Sequence, residues 1–283
     1  MTSQPIGFLD SGVGGLTVVK EALKQLPNES IVFLGDQARL PYGPRPTEEV
    51  AHFVQQIAGF LLDQHIKALV LACNTATAAA LPILQAKLPI PVVGVIDSGS
   101  QTAVKVSTGQ RIGVIATEGT IKSHAYQRAI SNLSPNASIE GLACPEFVTV
   151  VEAGKYHAPQ TDQLVDDQLR YFKTHPVDTL ILGCTHFPLL VDSIRKAMGP
   201  SVTLVDSGVE TVSVIKQLLA DEQLLNTDGA MKQPQFYTTG DVDSFTAIAQ
   251  DWLQMTELNV QHVPVEQLTE YGDLKPKESS YEA

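Results

Sequence analysis

Short runs of branched apolar residues alternate, along most of the chain, with segments that place an apolar residue at every third or fourth position. A strand covered on both faces reads as a continuous apolar run, and a covering helix reads as a one-sided stripe. The alternation is therefore that of βα units and a largely parallel sheet. It predicts strands at Pro5–Leu9, Ser30–Gly35, Ala68–Ala72, Val92–Ile96, Arg111–Ala116, Ile139–Ala143, Thr179–Gly183 and Thr203–Asp206. It predicts helices at Leu16–Gln25, Thr47–Gln64, Thr75–Lys87, Ser123–Ser131, Gln163–Thr174, Leu189–Met198 and Val209–Ala220.

Two of the apolar runs end alike. Leu69-Val70-Leu71-Ala72 leads into Cys73-Asn74-Thr75, and Leu180-Ile181-Leu182-Gly183 leads into Cys184-Thr185-His186. Each thiol is thereby placed at the carboxyl end of a buried strand, where open α/β sheets bind ligands. The duplication continues into Asp97-Ser98-Gly99 and Asp206-Ser207-Gly208, which follow the two cysteines by 24 and 22 residues. We read this as an α/β protein of two pseudo-symmetric lobes, each a largely parallel sheet flanked by helices, with the active site at the lobe interface. Residues 1–97 plus 208–265 form the first lobe, 98–207 the second, and 266–283 a C-terminal tail. Opposed thiols in a shared cleft suit moving a proton off one face of a carbon and onto the other.

Composition narrows the function classes. The formal charge is −12, from 31 acidic and 19 basic residues, and no basic cluster stands out. That argues against nucleic acid or an anionic membrane as partner and for a soluble cytoplasmic protein. Nothing at the N-terminus reads as a signal peptide, and the apolar stretches are strand-length rather than membrane-spanning. Three cysteines without close pairing fit a reducing compartment, and the absence of CxxC or Cys/His spacing argues against a metal site.

Other motifs add chemistry. Phe8 to Leu16 is a strand, a Gly-rich turn and a helix start. It lacks the full dinucleotide fingerprint but could hold a small anion on backbone N–H groups. Asp10, at a strand end, suits orienting an ammonium or a thiol, and the Pro41-Tyr42-Gly43 tip could close over a ligand. A helix amide end should draw the Cys73 and Cys184 thiols from about 8.5 towards neutrality. Cys144 reads as inert packing. His186 can assist Cys184, and Glu152 either partners His186 or is a solvated helix residue. Asn74, Thr75, Thr117, Thr120 and Thr185 offer neutral donors able to hold two carboxylates without adding charge. No lysine sits at an apolar strand end in the manner of a pyridoxal phosphate Schiff base.

The Asp10-Ser11-Gly12-Val13-Gly14-Gly15 start, Gly35-Asp36 to Pro41-Tyr42-Gly43, Ala72-Cys73-Asn74-Thr75 and Gly183-Cys184-Thr185-His186 together resemble the aspartate/glutamate racemase family, and within it the glutamate racemases. The resemblance runs to about residue 265. It implies cofactor-independent interconversion of L- and D-glutamate, supplying D-glutamate for peptidoglycan, by a protein that is usually a homodimer. It implies that Cys73 and Cys184 are the acid/base thiols, Cys184 acting on L-glutamate and Cys73 on D-glutamate. Asp10, Ser11, Tyr42, Gly43, Asn74, Thr75, Thr185 and His186 would bind substrate, with Asp36 and Glu152 in support.

Three other functions compete with that reading. An aspartate racemase would use the same chemistry on a shorter acid. A thiol hydrolase or amidase would use Cys184 as nucleophile and His186 as base, leaving Cys73 and the duplicated half without a purpose. A two-lobed amino-acid-binding protein would bind without exchange at the α-carbon.

Overall fold

The computed structural model describes residues 2–227, 233–272 and 274. The strands among them are β1 (Ile6–Asp10), β2 (Ile31–Gly35), β3 (Ala68–Leu71), β4 (Val92–Gly94), β5 (Arg111–Ala116), β6 (Ser138–Ala143), β7 (Thr179–Gly183), β8 (Thr203–Asp206), β9 (Gln235–Thr238) and β10 (Asn259–His262). The helices are α1 (Leu16–Gln25), α2 (Thr47–Asp63), α3 (Asn74–Lys87), α4 (Val95–Val106), α5 (Glu118–Lys122), α6 (Ala125–Leu133), α7 (Pro145–Glu152), α8 (Pro159–Leu169), α9 (Val191–Met198), α10 (Ser207–Asp221), α11 (Val242–Leu253) and α12 (Val265–Thr269).

The strands form two all-parallel sheets, ordered β10-β9-β2-β1-β3-β4 and β6-β5-β7-β8. Their central members, β1 and β7, are buried along their whole length, because helices cover both faces of each sheet. Register then places the chemistry. Leu9 pairs with Leu71, and Ala116 pairs with both Gly183 and Ala143. Cys73 therefore emerges beside the end of β1, while Thr117, Cys144 and Cys184 emerge together at the end of the second sheet.

Four of the sequence expectations change. The run Val92–Ile96 is not one strand: the chain turns at Gly94, and Val95 and Ile96 open α4. β9, α11, β10 and α12, all beyond residue 234, extend the first sheet and its helix layer without having been read from the sequence. The tail read as 266–283 is not all tail. Leu268 on α12 is fully buried, and Tyr271 stacks edge-on against Phe60 and donates to Asp63. Residues 273 and 275–283 lie outside the described residues. Cys184 is followed by a 3-10 turn, Phe187–Leu190, before α9 begins.

The repeated Asp-Ser-Gly segments lie at the first turns of α4 and α10, which run side by side and share a hydrogen bond of 2.6 Å between Ser98 Oγ and Thr211 Oγ1. At the opposite end of the first sheet, Lys67 is sealed in beside Glu29 at 2.6 Å and donates to the carbonyls of Thr2 and Leu224. No helix among the described residues is long and apolar enough to cross a membrane.

Candidate active site

The carboxyl ends of the two sheets face one cavity of about 170 Å³, lined by Cys73 from one side and Cys184 from the other. Each thiol is 6 % exposed. Their surroundings differ. Cys73 caps the N-terminus of α3, its sulfur accepting the Ala76 N–H at 3.5 Å and lying 3.7 Å from Ser11 Oγ. Cys184 Sγ is 3.6 Å from His186 Nδ1, and His186 Nε2 is 2.6 Å from Glu152 Oε1.

The ionisation follows the same asymmetry. Burial pushes the Cys73 thiol up to about 12, and the Asp10 charge adds to it, outweighing the helix N–H and Ser11. The expected lowering towards neutrality is thus overturned at Cys73: α3 supplies donors, but enclosure costs the thiolate more than they return. At Cys184 the capping argument has no α-helix to rest on. Burial works against charge on His186, yet hydrogen bonds and attraction from the Cys184 sulfur and the Glu152 carboxylate hold its pKa well above the usual histidine value. A charged imidazole is the counter-ion that a Cys184 thiolate needs.

The expected binding groups gather here. Ser11, Tyr42, Gly43, Asn74, Thr75, Thr117, Thr185 and His186 all line the cavity. Thr75 and Thr117 hydroxyls meet at 2.9 Å, across the gap between α3 and the end of β5. Gly43 is pressed so closely on Thr117 that a Cβ there would come within 2.9 Å of the threonine Cβ. Gly14 has an analogous reason: a Cβ would collide with Thr185 Oγ1 and meet the His186 ring at 2.7 Å. The Gly-rich turn serves close packing on Thr185-His186 rather than a nucleotide.

Four of the expected residues stand behind the wall rather than on it. Asp10 is fully buried, accepts the Gly12 N–H at 2.9 Å and Thr185 Oγ1 at 3.3 Å, and has its pKa raised by burial against the pull of His186. Thr120 bonds Thr117 and Thr75, at 3.1 and 3.3 Å. Glu152 acts through His186, so of its two readings the partner holds, not the solvated helix residue. Asp36 receives the Tyr42 hydroxyl, Arg39 Nε at 2.7 Å and Thr239 Oγ1 at 2.9 Å, fixing the Tyr42-Gly43 tip from below. Asp10 thus stands directly behind Thr185, which lines the cavity. Cys144 is buried off the cavity, with burial pushing its thiol up to about 12.

Sequence reasoning missed Arg39, Tyr126, and the cavity's outer wall of Pro145, Val148 and Thr149 on α7. Only Pro145 had a local signal, as a helix-starting proline after a strand. Among the described lining residues there is no lysine or arginine, and the one carboxylate, Glu118, is paired with Lys122 at 2.8 Å. The site thus offers neutral hydroxyl and amide donors, together with the His186 imidazole, beside two thiols.

Comparison with known proteins agrees with this geometry. Residues 10–215 match the family model described as Asp/Glu/Hydantoin racemase. A glutamate racemase of Lactiplantibacillus plantarum is 54 % identical over 259 residues, covering 91 % of this chain and 95 % of that one. A glutamate racemase isoform of Bacillus anthracis superposes with a TM-score of 0.90 at 44 % identity, covering 94 % of this chain and 99 % of that one. The Francisella tularensis glutamate racemase, solved in complex with D-glutamate, has a TM-score of 0.87 at 36 % identity and the same coverage.

Proposed function

The chain belongs to the Asp/Glu/hydantoin racemase family, and from that premise we propose that it interconverts L- and D-glutamate by cofactor-independent proton exchange between two thiols. The observation that carries this reading is the pair Cys73 and Cys184, delivered by different sheets to opposite walls of one cavity. A hydrolase needs only the Cys184–His186–Glu152 side of it.

In the empty site Cys73 is a thiol, because burial and Asp10 keep its proton on. Cys184, facing charged His186, takes the role of base. L-glutamate is deprotonated at Cα by Cys184, and Cys73 returns a proton to the opposite face. The reverse reaction exchanges the roles, with Cys73 as thiolate and the substrate ammonium as counter-charge. The carbanion is stabilised through its carboxylate by donors fixed before reaction: the Thr75 and Thr117 hydroxyls, Asn74 and the N–H groups at the start of α3. Neutral donors suit this step, since they strengthen as charge develops without trapping the dicarboxylate in the ground state.

D-glutamate made in this way supplies peptidoglycan. Three buried thiols with no disulfide between them fit a reducing compartment, which supports a cytoplasmic location. Val106, Leu133, Val209 and Val214, exposed on α4 and on the α6 and α10 helices that pack against it, offer apolar surface for a homodimer, which sedimentation would measure. The deciding experiment is proton NMR of L-glutamate with the protein in D2O and no added cofactor. Loss of the α-proton signal, with D-glutamate appearing, is expected. Activity that disappears on dialysis and returns with pyridoxal phosphate or a metal would overturn the reading.

A further inference from the structure

We propose that Tyr126 is a positioning residue that sets which end of the Asn74 amide faces the substrate. The proposal rests on the glutamate reading above, and adds to it a specific origin for one carboxylate donor. Tyr126 lies on α6, among the helices of the second sheet, and is 1 % exposed. Its hydroxyl crosses to the other half of the molecule and donates to Asn74 Oδ1 at 2.7 Å. Asn74 is the first residue of α3, next to Cys73, and lines the cavity. Its Nδ2 is buried and has no hydrogen-bond partner.

A primary amide can turn over about Cβ–Cγ, exchanging a donor for an acceptor in the same space. The neighbouring cavity hydroxyls of Thr75 and Thr117 cannot choose between the two, because a hydroxyl serves as either partner. Tyr126 can. A phenol is a stronger donor and a weaker acceptor than an aliphatic hydroxyl, because its oxygen lone pair is delocalised into the ring, and its proton is given to Asn74 Oδ1. Burial pushes the phenol's pKa upwards, so that proton stays in place. Nδ2 is thereby left as a donor without a partner, buried at the wall of a cavity that takes a dicarboxylate. An unpaired buried donor is costly in the free protein and is satisfied when a carboxylate arrives. Turned over, the amide would present its oxygen to that carboxylate.

The test is a double-mutant cycle on kcat/KM for both enantiomers, with Tyr126→Phe, Asn74→Ala and the pair. Removing a hydrogen bond to a charged group costs about tenfold, so Tyr126→Phe should lower kcat/KM by about that factor, mainly through KM. The double variant should be no worse than Asn74→Ala, to within about twofold, since Tyr126 acts through Asn74. Tyr171→Phe removes another phenol hydrogen bond, to Glu140 at 2.9 Å, away from the cavity, and should leave kcat/KM unchanged. Parent-like kinetics in Tyr126→Phe, or losses that multiply in the double variant, would overturn the proposal. The same cycle read as calorimetric Kd for D-glutamate tests the positioning independently of turnover. A wild-type protein that binds without racemising would sink the glutamate mechanism alone.

Discussion

Glu152→Gln isolates the charge behind Cys184 with little change of shape. Gln keeps an oxygen able to accept the His186 Nε2–H that Glu152 Oε1 accepts at 2.6 Å, but it carries no charge. His186 is 3 % exposed and Glu152 only partly so, which limits how far water can stand in for the lost charge. A hydrogen bond to a charged partner in such a setting contributes ~1.5–3 kcal/mol, which corresponds to about 10- to 100-fold in rate. Both neighbours of His186 raise its pKa against burial, so losing one moves that pKa down. The imidazolium then survives to a lower pH, and the alkaline limb of the kcat/KM profile should move towards acid. The enantiomers have equal free energy, so kcat/KM must fall equally in both directions, and any difference between directions appears only in how kcat and KM share the loss. Polarimetry or circular dichroism of each enantiomer across pH gives all of these quantities. A variant with kcat/KM within about twofold of the parent and an unmoved alkaline limb would show that the Glu152–His186 pair is only structural.

Cys73→Ala and Cys184→Ala should each abolish interconversion, whereas a glutamate carrying a halide on C3 needs only one deprotonation to eliminate it. Cys73→Ala should then act on the L-hand and Cys184→Ala on the D-hand, and near-parental racemisation by Cys73→Ala would end the two-thiol mechanism. The folded pKa of Asp10 is raised by burial, so its favourable contribution exists below its ordinary value near 3.8 and is lost as pH rises through the folded value. At neutral pH its charge is a net cost: Asp10→Asn should raise Tm while lowering activity, with ~1 kcal/mol appearing as about 2–4 °C, and a lower Tm would refute the assignment. Lys67→Met strands the Glu29 carboxylate in a buried site and should cost ~3–5 kcal/mol in urea unfolding, with a loss under about 1 kcal/mol counting against it.

The strands were legible because parallel strands covered on both faces carry unmixed apolar runs, and the six-residue β5 was read to its last residue. Val95-Ile96 was misread for the same reason: two branched residues continue an apolar run whether the chain stays extended or turns into a helix. β9 and β10 are four-residue strands with exposed glutamines, too short and too mixed to stand out. The thiols could be found from local motifs, since each is written within a few residues of its strand. Their ionisation could not. Burial, and Asp10 brought in from β1, decide the state of Cys73, and neither is visible in Ala72-Cys73-Asn74-Thr75.

The repeat that made the two cysteines recognisable is a repeat of backbone, not of chemistry. Cys73 caps a full α-helix and is held protonated by enclosure and a nearby carboxylate; Cys184 precedes a 3-10 turn and faces a charged imidazole. A racemase cannot use that difference to favour one enantiomer at equilibrium, because the same transition state is crossed in both directions. It can use it to set which protonation state the empty enzyme rests in, and hence which enantiomer it meets ready to react. The groups that impose this resting state belong each to their own sheet, Asp10 at the end of β1 beside Cys73 and Glu152 with His186 beside Cys184, and the Thr185–Asp10 hydrogen bond joins the two halves. Substitutions at their packing should therefore alter the balance of kcat and KM between directions while leaving the symmetry of the fold untouched.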